Sequence, residues 1–234
     1  MNVPQSGNFI DIHIHDGKPA AGVFILESLM AHEEKLPEEI PGIAYTYGIH
    51  PWFLNEGNHK KQMETVEKLI HDPEVIAVGE AGLDKLRGPA NELQIRIFEE
   101  QISIAEDVRK PLIIHCVKSW DDLLAVHKKK KPKMPWMIHG FRGSVELAAQ
   151  LLSKGFYLSI WFEFVLRPES ARLLQSLPHD RFFLETDGAE VDIKDIYKKV
   201  SMDLDISMEE LKENILGNYY RFFNLNFGLT PTTR

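Results

Sequence analysis

The stretch Phe9–His15 has the sequence Phe-Ile-Asp-Ile-His-Ile-His, in which apolar and polar residues alternate. Side chains of a β-strand point alternately to its two faces, so this period predicts a strand. His13 and His15 fall on one face of it, and the three isoleucines pack on the other. Two imidazoles on one face can hold one cation, but a polar face that merely meets solvent would show the same pattern. The motif alone leaves both interpretations open.

Similar short segments rich in β-branched residues follow and alternate with longer amphipathic ones. The predicted strands are Phe9–His15, Val23–Leu26, Ile43–Ile49, Val75–Glu80, Leu112–Cys116, Trp136–His139, Phe156–Ile160 and Phe182–Thr186. The predicted helices are Lys60–His71, Asn91–Arg109, Trp120–Lys130, Ser144–Ser153, Glu169–Ser176, Ile193–Leu204 and Ser207–Phe223. Asn91 and Ser207 are predicted N-caps, and Ser207 begins a capping box with Glu210.

The alternation of strands and helices indicates parallel strand pairing and therefore an α/β fold. About eight strands in a chain of 234 residues favour a small TIM-like (β/α) barrel. One domain over residues 1–234 is the natural expectation for this length. Residues 17–42 contain only one strand-like segment, Val23–Leu26, and we expect the barrel to be trimmed or distorted there.

Four further polar residues each follow an apolar strand at its carboxyl end. They are Glu80, His115, His139 and Asp187. Each alone has a structural explanation, such as a hydrogen-bonded core histidine or an acid that starts a turn. In a barrel, however, the carboxyl ends of the strands converge on one mouth, where active sites lie. Together with His13 and His15, they predict a metal site at the C-terminal ends of the strands.

The types of ligand restrict the metal and the compartment. Imidazole and carboxylate without thiolate suit Zn, Mn, Co or Fe rather than a cysteine-based structural zinc. Cys116 is the only cysteine, and alternation after His115 points it outward, towards the helix layer. A single cysteine excludes an internal disulfide, and we find neither a signal peptide nor a membrane span. We therefore expect a cytoplasmic protein with no membrane segment and no obligate protein partner.

The formal net charge is −8. It argues against the broad basic surface that is typical of tight duplex binding. A phosphate substrate is not excluded, because bound divalent cations reverse the local field. The one basic run, Lys128–Lys131 with Lys133, is interpreted as a solvated helix end. A contact for an anionic partner is the alternative.

The sequence resembles the TatD-related metal-dependent hydrolases, a family linked to deoxyribonucleases, over nearly its whole length. The resemblance rests on motifs in a fixed order, namely Ile10–His15, Gly48–Trp52, Val78–Asp84, Gln94 with Phe98, Pro111–Cys116, Ile138–Phe141 with Gly143-Ser144, and Leu184–Asp187. The chain departs from the family at Val117-Lys118, where an arginine and an acid are common, and at Gly188-Ala189-Glu190, where Ala-Pro is common. These departures concern the substrate more than the metal site.

The resemblance implies a TIM-like barrel with one or two divalent ions, Zn, Mn, Mg or Co. The implied ligands of the first ion are His13, His15 and Asp187, and those of the second are His115 and His139. Glu80 would bridge the ions, and Glu80 and Asp187 would be catalytic, Asp187 as a proton acceptor. His50 would contact the substrate phosphate or support the site. The implied reaction is phosphodiester hydrolysis in DNA or an oligonucleotide by metal-activated water.

Two other interpretations stay open. The same site would serve a metal-dependent amidohydrolase or phosphoesterase that acts on a small substrate, such as another phosphoester. A bridging Glu80, instead of the modified lysine of many related barrels, favours the nuclease-like branch. A catalytically inactive binding module is the third interpretation. Lys85, Lys118 and Arg142 are candidate phosphate neighbours.

Overall fold

The computed structural model describes residues 2–225. Eight strands form one sheet in which each strand pairs in parallel with the next along the chain. The strands are β1 (Phe9–Ile14), β2 (Val23–Met30), β3 (Ile43–Gly48), β4 (Val75–Asp84), β5 (Leu112–Val117), β6 (Trp136–Phe141), β7 (Tyr157–Ile160) and β8 (Phe182–Leu184). The predicted (β/α) barrel is confirmed, and a single domain over residues 1–234 stays a prediction.

Helices cover the outside of the barrel. They are α1 (His59–Leu69), α2 (Asn91–Val108), α3 (Trp120–Lys130), α4 (Val145–Leu152), α5 (Phe162–Val165), α6 (Ser170–Ser176), α7 (Ile193–Leu204) and α8 (Met208–Phe222). All the predicted helices are present, and the one-turn α5 was not predicted. No helix within residues 2–225 is long and apolar enough to cross a membrane.

One of the two predicted N-caps is confirmed. Ser207 precedes α8, and its hydroxyl accepts a hydrogen bond from the Glu210 backbone N–H. The prediction for Asn91 is wrong, because Ala90 occupies the N-cap position of α2 and Asn91 is the first helical residue. The Asn91 amide instead donates to the Asp122 carboxylate at 3.3 Å, a contact with α3 that the local sequence does not reveal.

The expected trimming lies between β1 and β3. No helix connects β1 to β2, and only the short 3₁₀ turn Ala31–Glu33 separates β2 from β3. Strand β2 runs on to Met30, beyond the predicted end at Leu26. The acidic residue Glu27 does not end the strand, because its charge is paired. Its carboxylate is buried and bonded to the Lys35 ammonium group at 2.6 Å.

At the boundary between β8 and β1, which we call the seam, side-chain hydrogen bonds and one backbone bond join the described strands in place of a strand ladder. The Asp11 carboxylate accepts hydrogen bonds from the Thr186 backbone N–H at 3.0 Å and from the Thr186 hydroxyl at 2.6 Å. The Asp187 N–H donates to the His13 carbonyl at 3.1 Å. Burial raises the pKa of Asp11 to about 7, although both Thr186 hydrogen bonds oppose the change. The last strand is thus fixed to the first.

Strand β4 is buried along its whole length and carries Glu80 in its middle, not at its end. The sequence predicted that this strand ends at Glu80, but Gly79 and Gly82, on either side of Glu80, allow the neighbouring strand to approach. A Cβ atom on Gly82 would lie 1.9 Å from the His115 carbonyl oxygen. Gly82 also has φ +151°, which L-residues rarely adopt. Close contact between β4 and β5 therefore requires glycine here.

We predict that Gly82→Ala lowers the free energy of unfolding by about 3 kcal/mol, because the new Cβ meets backbone that cannot move freely. Urea unfolding followed by circular dichroism measures the loss. Gly155→Ala is the matched control, since Gly155 also has positive φ but has open space around it. It should lose only about 1 kcal/mol. Equal losses in the two variants would contradict the argument.

Candidate functional site

The centre of the barrel mouth is the carboxylate of Glu80, which is only 2% exposed. Its Oε1 atom faces three imidazoles from β5, β6 and the turn after β3. His139 Nε2 lies 2.7 Å away, His115 Nδ1 2.8 Å away and His50 Nε2 3.0 Å away. His115 Nδ1 and His139 Nε2 are themselves 3.4 Å apart. One carboxylate oxygen thus gathers three of the histidines named from the sequence.

The other oxygen of Glu80, Oε2, faces the residues of β1 and β8. His13 Nε2 lies 3.2 Å from it and His15 Nε2 3.5 Å from it. Asp187, which follows β8 with φ +54°, places its Oδ1 3.7 Å from His13 Nε2 and 3.6 Å from His15 Nε2. The six predicted ligands therefore meet at one place, with His13, His15 and Asp187 on one side of Glu80 and His115 and His139 on the other.

The group around Oε2 fits a divalent cation. Two ligands that each lie about 2.0–2.1 Å from a tetrahedral ion are separated by roughly 3.3–3.4 Å, close to the distances found among these atoms. Both ring nitrogens of His13 are buried without a hydrogen-bond partner, although Nε2 is near Glu80. Such orphan nitrogens are rare in protein interiors unless another group occupies their lone pairs. His13, His15 and Asp187 are close enough together to share one ion.

The surrounding charges determine the protonation of the cluster. Burial alone would raise the pKa of Glu80, but the imidazoles around it hold this pKa well below its ordinary value. Burial would lower the pKa of His115 and His139. Hydrogen bonds to Asp84 and Glu80 raise the pKa of His115, and the charges of Glu80 and Glu185 hold that of His139 well above 6.5. The cluster is therefore an anion enclosed by imidazoles that compete for protons.

His50 lies inside the cluster and not on the wall of the cavity above it. Its Nδ1 accepts a hydrogen bond from the Trp52 backbone N–H at 3.1 Å, so its Nε2 carries the proton and donates to Glu80. The ring is 3% exposed, and burial lowers its pKa. The two roles that the resemblance implied for His50, contact with the substrate phosphate and support of the site, both stay predictions.

Two carboxylates that orient the histidines were missed in the sequence. Asp84 Oδ2 accepts from His115 Nε2 at 3.1 Å and from the Trp52 indole N–H at 2.6 Å. Glu185, fully buried, accepts from a backbone N–H at 2.6 Å and lies 3.7 Å from His139 Nδ1. Carboxylates in this position fix the ring orientation of metal-binding histidines. The signal that the sequence offered was the distance from a predicted ligand: Asp84 lies four residues after Glu80, and Glu185 lies two residues before Asp187.

A cavity of about 480 Å³ opens above the cluster. Its lining residues are Trp52, His115, Cys116, Val117, Lys118, Trp120, His139, Gly140, Arg142, Gly143, Trp161 and Asp187. Two of the candidate phosphate neighbours, Lys118 and Arg142, are therefore at the site. Lys85 is not among the lining residues and pairs with Asp122 at 3.0 Å. The cavity combines proposed ligands, cations and aromatic rings.

Cys116 is among the residues that border this cavity, and the orientation of its side chain towards the helix layer stays a prediction. Cys116 is buried as predicted, and burial raises the pKa of its thiol to about 12. It is therefore a neutral thiol and not a nucleophile.

The basic run Lys128–Lys131 lies at the end of α3 and does not line the cavity above Glu80. Lys129 and Lys130 both pair with Glu99 of α2, at 2.6 and 3.6 Å. The interpretation as a solvated helix end accounts for them.

Comparison with known proteins gives a family match for most of the chain. The family described as TatD related DNase matches residues 23–224. The chain belongs to this family. The family match begins after His13 and His15, so these two residues are placed at the site by the fold and not by that match.

Two relatives and one solved structure illustrate the similarity within the TatD-related family. The 3'-5' ssDNA/RNA exonuclease TatD of Pantoea vagans is 33% identical over 178 residues, which are 74% of this chain and 67% of that protein. The human 3'-5' RNA nuclease TATDN2 is 34% identical over 165 residues, 67% of this chain; the chain spans about a fifth (21%) of that relative's length. The YJJV TatD homolog of Escherichia coli k12 has a TM-score of 0.78 at 22% identity, covering 94% of this chain and 100% of that one.

We predict that Asp84→Asn lowers the pKa of His115, because the asparagine keeps an acceptor but removes the negative charge beside the ring. A histidine NMR titration of the protein in a chelator measures the change. Asp122→Asn is the control, since Asp122 pairs with Lys85 outside the cluster. If His115 titrates at the same pH in both variants, Asp84 does not control its protonation.

Proposed function

We propose that this chain is a divalent-metal-dependent hydrolase of the TatD deoxyribonuclease type, which cleaves phosphodiester bonds in nucleic acid. The single observation that carries the proposal is the buried Glu80 carboxylate, whose two oxygens face two groups of potential metal ligands beneath an open cavity. The names of the Pantoea vagans exonuclease and the human RNA nuclease support a nucleic-acid substrate.

In our proposal His13, His15 and Asp187 would hold a first ion and His115 and His139 a second. Glu80, which lies between the two sets, would contribute to both. Nitrogen and oxygen donors suit Zn, Mn or Co, and Mg through the carboxylates, as one or two ions. Divalent ions in such a site make water a stronger acid near neutral pH and polarise a phosphoryl oxygen.

The chain's own residues would bind the phosphate and move the proton. Asp187 borders the cavity and its side chain is 28% exposed, whereas Glu80 is enclosed. We propose that an Asp187 carboxylate oxygen accepts the proton of the attacking water, and that Glu80 keeps the imidazoles in place. Lys118 and Arg142 line the same cavity and would bind the phosphate oxygens. A cytoplasmic location, from the single cysteine, stays a proposal.

We predict that Glu80→Gln and Asp187→Asn each lower kcat/KM for phosphodiester hydrolysis by about a hundredfold or more, because each removes a charge from the ligand sets. The assay supplies Mn²⁺, Mg²⁺, Co²⁺ and Zn²⁺ separately, with bis(p-nitrophenyl) phosphate and single-stranded DNA as substrates. Glu163→Gln is the control, because Glu163 is exposed and pairs only with Arg167 among the described residues. Unchanged turnover in both site variants would eliminate the proposed site.

We also predict that binding of Zn²⁺ releases at least one proton near pH 7. The pKa values of His15, His115 and His139 are raised by the neighbouring carboxylates, although burial opposes the change. A cation needs the unprotonated nitrogens, so its affinity should weaken as the pH falls. Calorimetry in buffers of different ionisation enthalpy measures the release.

The control for proton release is His71→Gln, which removes an exposed histidine outside the cluster and should release as much as the wild type. His139→Gln should release less. A binding enthalpy that is independent of the buffer would show that the imidazoles of the cluster are already unprotonated.

A further inference from the structure

Two arginine–tryptophan pairs lie beside the cluster of Glu80. The mechanism proposed above assigns no role to the two tryptophan rings. The guanidinium carbon of Arg87 lies 3.7 Å from the centre of the Trp52 ring, and that of Arg142 lies 4.0 Å from the centre of the Trp161 ring. Both tryptophans line the cavity above Glu80. We call these the two stacked pairs.

The first stacked pair is fixed against the cluster. The Trp52 indole N–H donates to Asp84 Oδ2, the same atom that accepts from His115. The ring centres of Trp52 and His115 are 5.4 Å apart in an edge-to-face arrangement. Yet 36% of the surface of Trp52 is exposed to solvent. The structure thus holds a rigid aromatic ring open to solvent next to a proposed metal ligand.

The second stacked pair comes from the loops after β6 and β7. Trp161 follows β7, and its backbone N–H donates to the Phe141 carbonyl at the end of β6. Arg142 directly follows Phe141 in the chain, and its guanidinium lies over the Trp161 indole. The pair is therefore joined through the backbone of two neighbouring strands, and it borders the cavity that also contains His139 and Asp187.

The cations of this region are available to a ligand. Among the ion pairs of residues 2–225, none involves Arg87, Arg142 or Lys118. The chain as a whole has a net charge of −8, so the presence of Lys118 and Arg142 at the cavity, with Arg87 against the Trp52 ring, is a local exception. A guanidinium that lies flat on an indole keeps its in-plane N–H groups free for phosphate oxygens.

An aromatic face beside a cation matches a nucleotide whose base is exposed. Stacking on an aromatic side chain requires an open base face, which a single strand offers and an intact duplex covers. The acidic chain also lacks the broad basic surface of a duplex-binding protein. A small phosphoester would use the cations but would leave two tryptophan faces without a purpose.

We propose that the two stacked pairs are base-binding subsites, at which unpaired bases of a single strand stack on Trp52 and Trp161 while Arg87 and Arg142 contact the flanking phosphates. This inference rests on the proposed function and specifies its substrate recognition. The bases would thereby hold the strand so that one phosphate lies over the cluster of Glu80.

Binding without turnover gives the first test. A fluorescein-labelled ten-nucleotide single strand is titrated with the protein in a chelator, and its anisotropy gives Kd. Trp161→Leu should raise Kd about tenfold, the change that loss of one stacked base produces. Trp161→Phe keeps a flat ring and should restore most of the affinity, and Arg142→Ala should weaken binding. Arg167→Ala, in an exposed pair with Glu163 nearby, is the matched control.

An abasic strand provides a test that does not depend on how well a variant folds. Removal of the bases should weaken binding to the wild type about a hundredfold, because both stacked bases are lost, but should weaken binding to Trp161→Leu only about tenfold, because that variant has already lost one of the two contacts. Equal sensitivity to base removal in both proteins would overturn the proposal. Duplex that binds the wild type as tightly as the single strand would overturn it as well.

Turnover separates failure of this inference from failure of the proposed function. Trp161→Leu should lower the ratio of kcat/KM for the strand to that for bis(p-nitrophenyl) phosphate about tenfold. If the small diester is hydrolysed but neither Kd nor this ratio changes, the subsites are wrong and the hydrolase stands. If no metal supports hydrolysis while the binding pattern holds, the hydrolase is wrong and the subsites stand.

Discussion

The architecture of the mouth depends on one buried carboxylate. Removing the charge of Glu80 from water is costly unless cations or hydrogen-bond donors surround it, and five imidazoles do so. Those imidazoles come from β1, β3, β5 and β6 or the residues directly after them. The barrel provides this convergence, since its strand ends meet at one rim. The same enclosure leaves the carboxylate anionic and shifts the pKa values of the imidazoles in opposite directions, down for His13 and His50 and up for His15, His115 and His139.

The sequence contains the local part of this arrangement. Alternation along β1 is sufficient to place His13 and His15 on one face, and the apolar runs before His115 and His139 identify their strands. The position of Glu80 was predicted wrongly within its strand. Glycine usually indicates a strand end, whereas here Gly79 and Gly82 permit close packing of β4 against β5. This use of glycine depends on the neighbouring strand, and the sequence of β4 alone does not reveal it.

Contacts between distant segments could not be predicted in the same way. Asp84 and Glu185 act through hydrogen bonds to residues on other strands, and no local period distinguishes them from acids in turns. The contact between Arg142 and Trp161 could not be predicted either, because the two residues come from different loops and their sequence neighbours do not indicate it. The alternation of strands and helices and the family resemblance both indicated the barrel, but the departures from the family at Val117-Lys118 fall at the cavity, so the resemblance does not predict this part of its lining.

The seam has a consequence for how the two ends of the chain behave. Asp11 and Thr186 are 175 positions apart, and they join β1 to β8 where no ladder of backbone bonds does so. His13, His15 and Asp187 straddle the same boundary. An ion held by these three would close a loop of about three quarters of the 234 residues, and a cross-link that closes a long loop restricts the unfolded state strongly. Occupancy of this ion site and closure of the seam would then be coupled. Slower hydrogen exchange of the β1 and β8 amides in the presence of the ion would show that coupling.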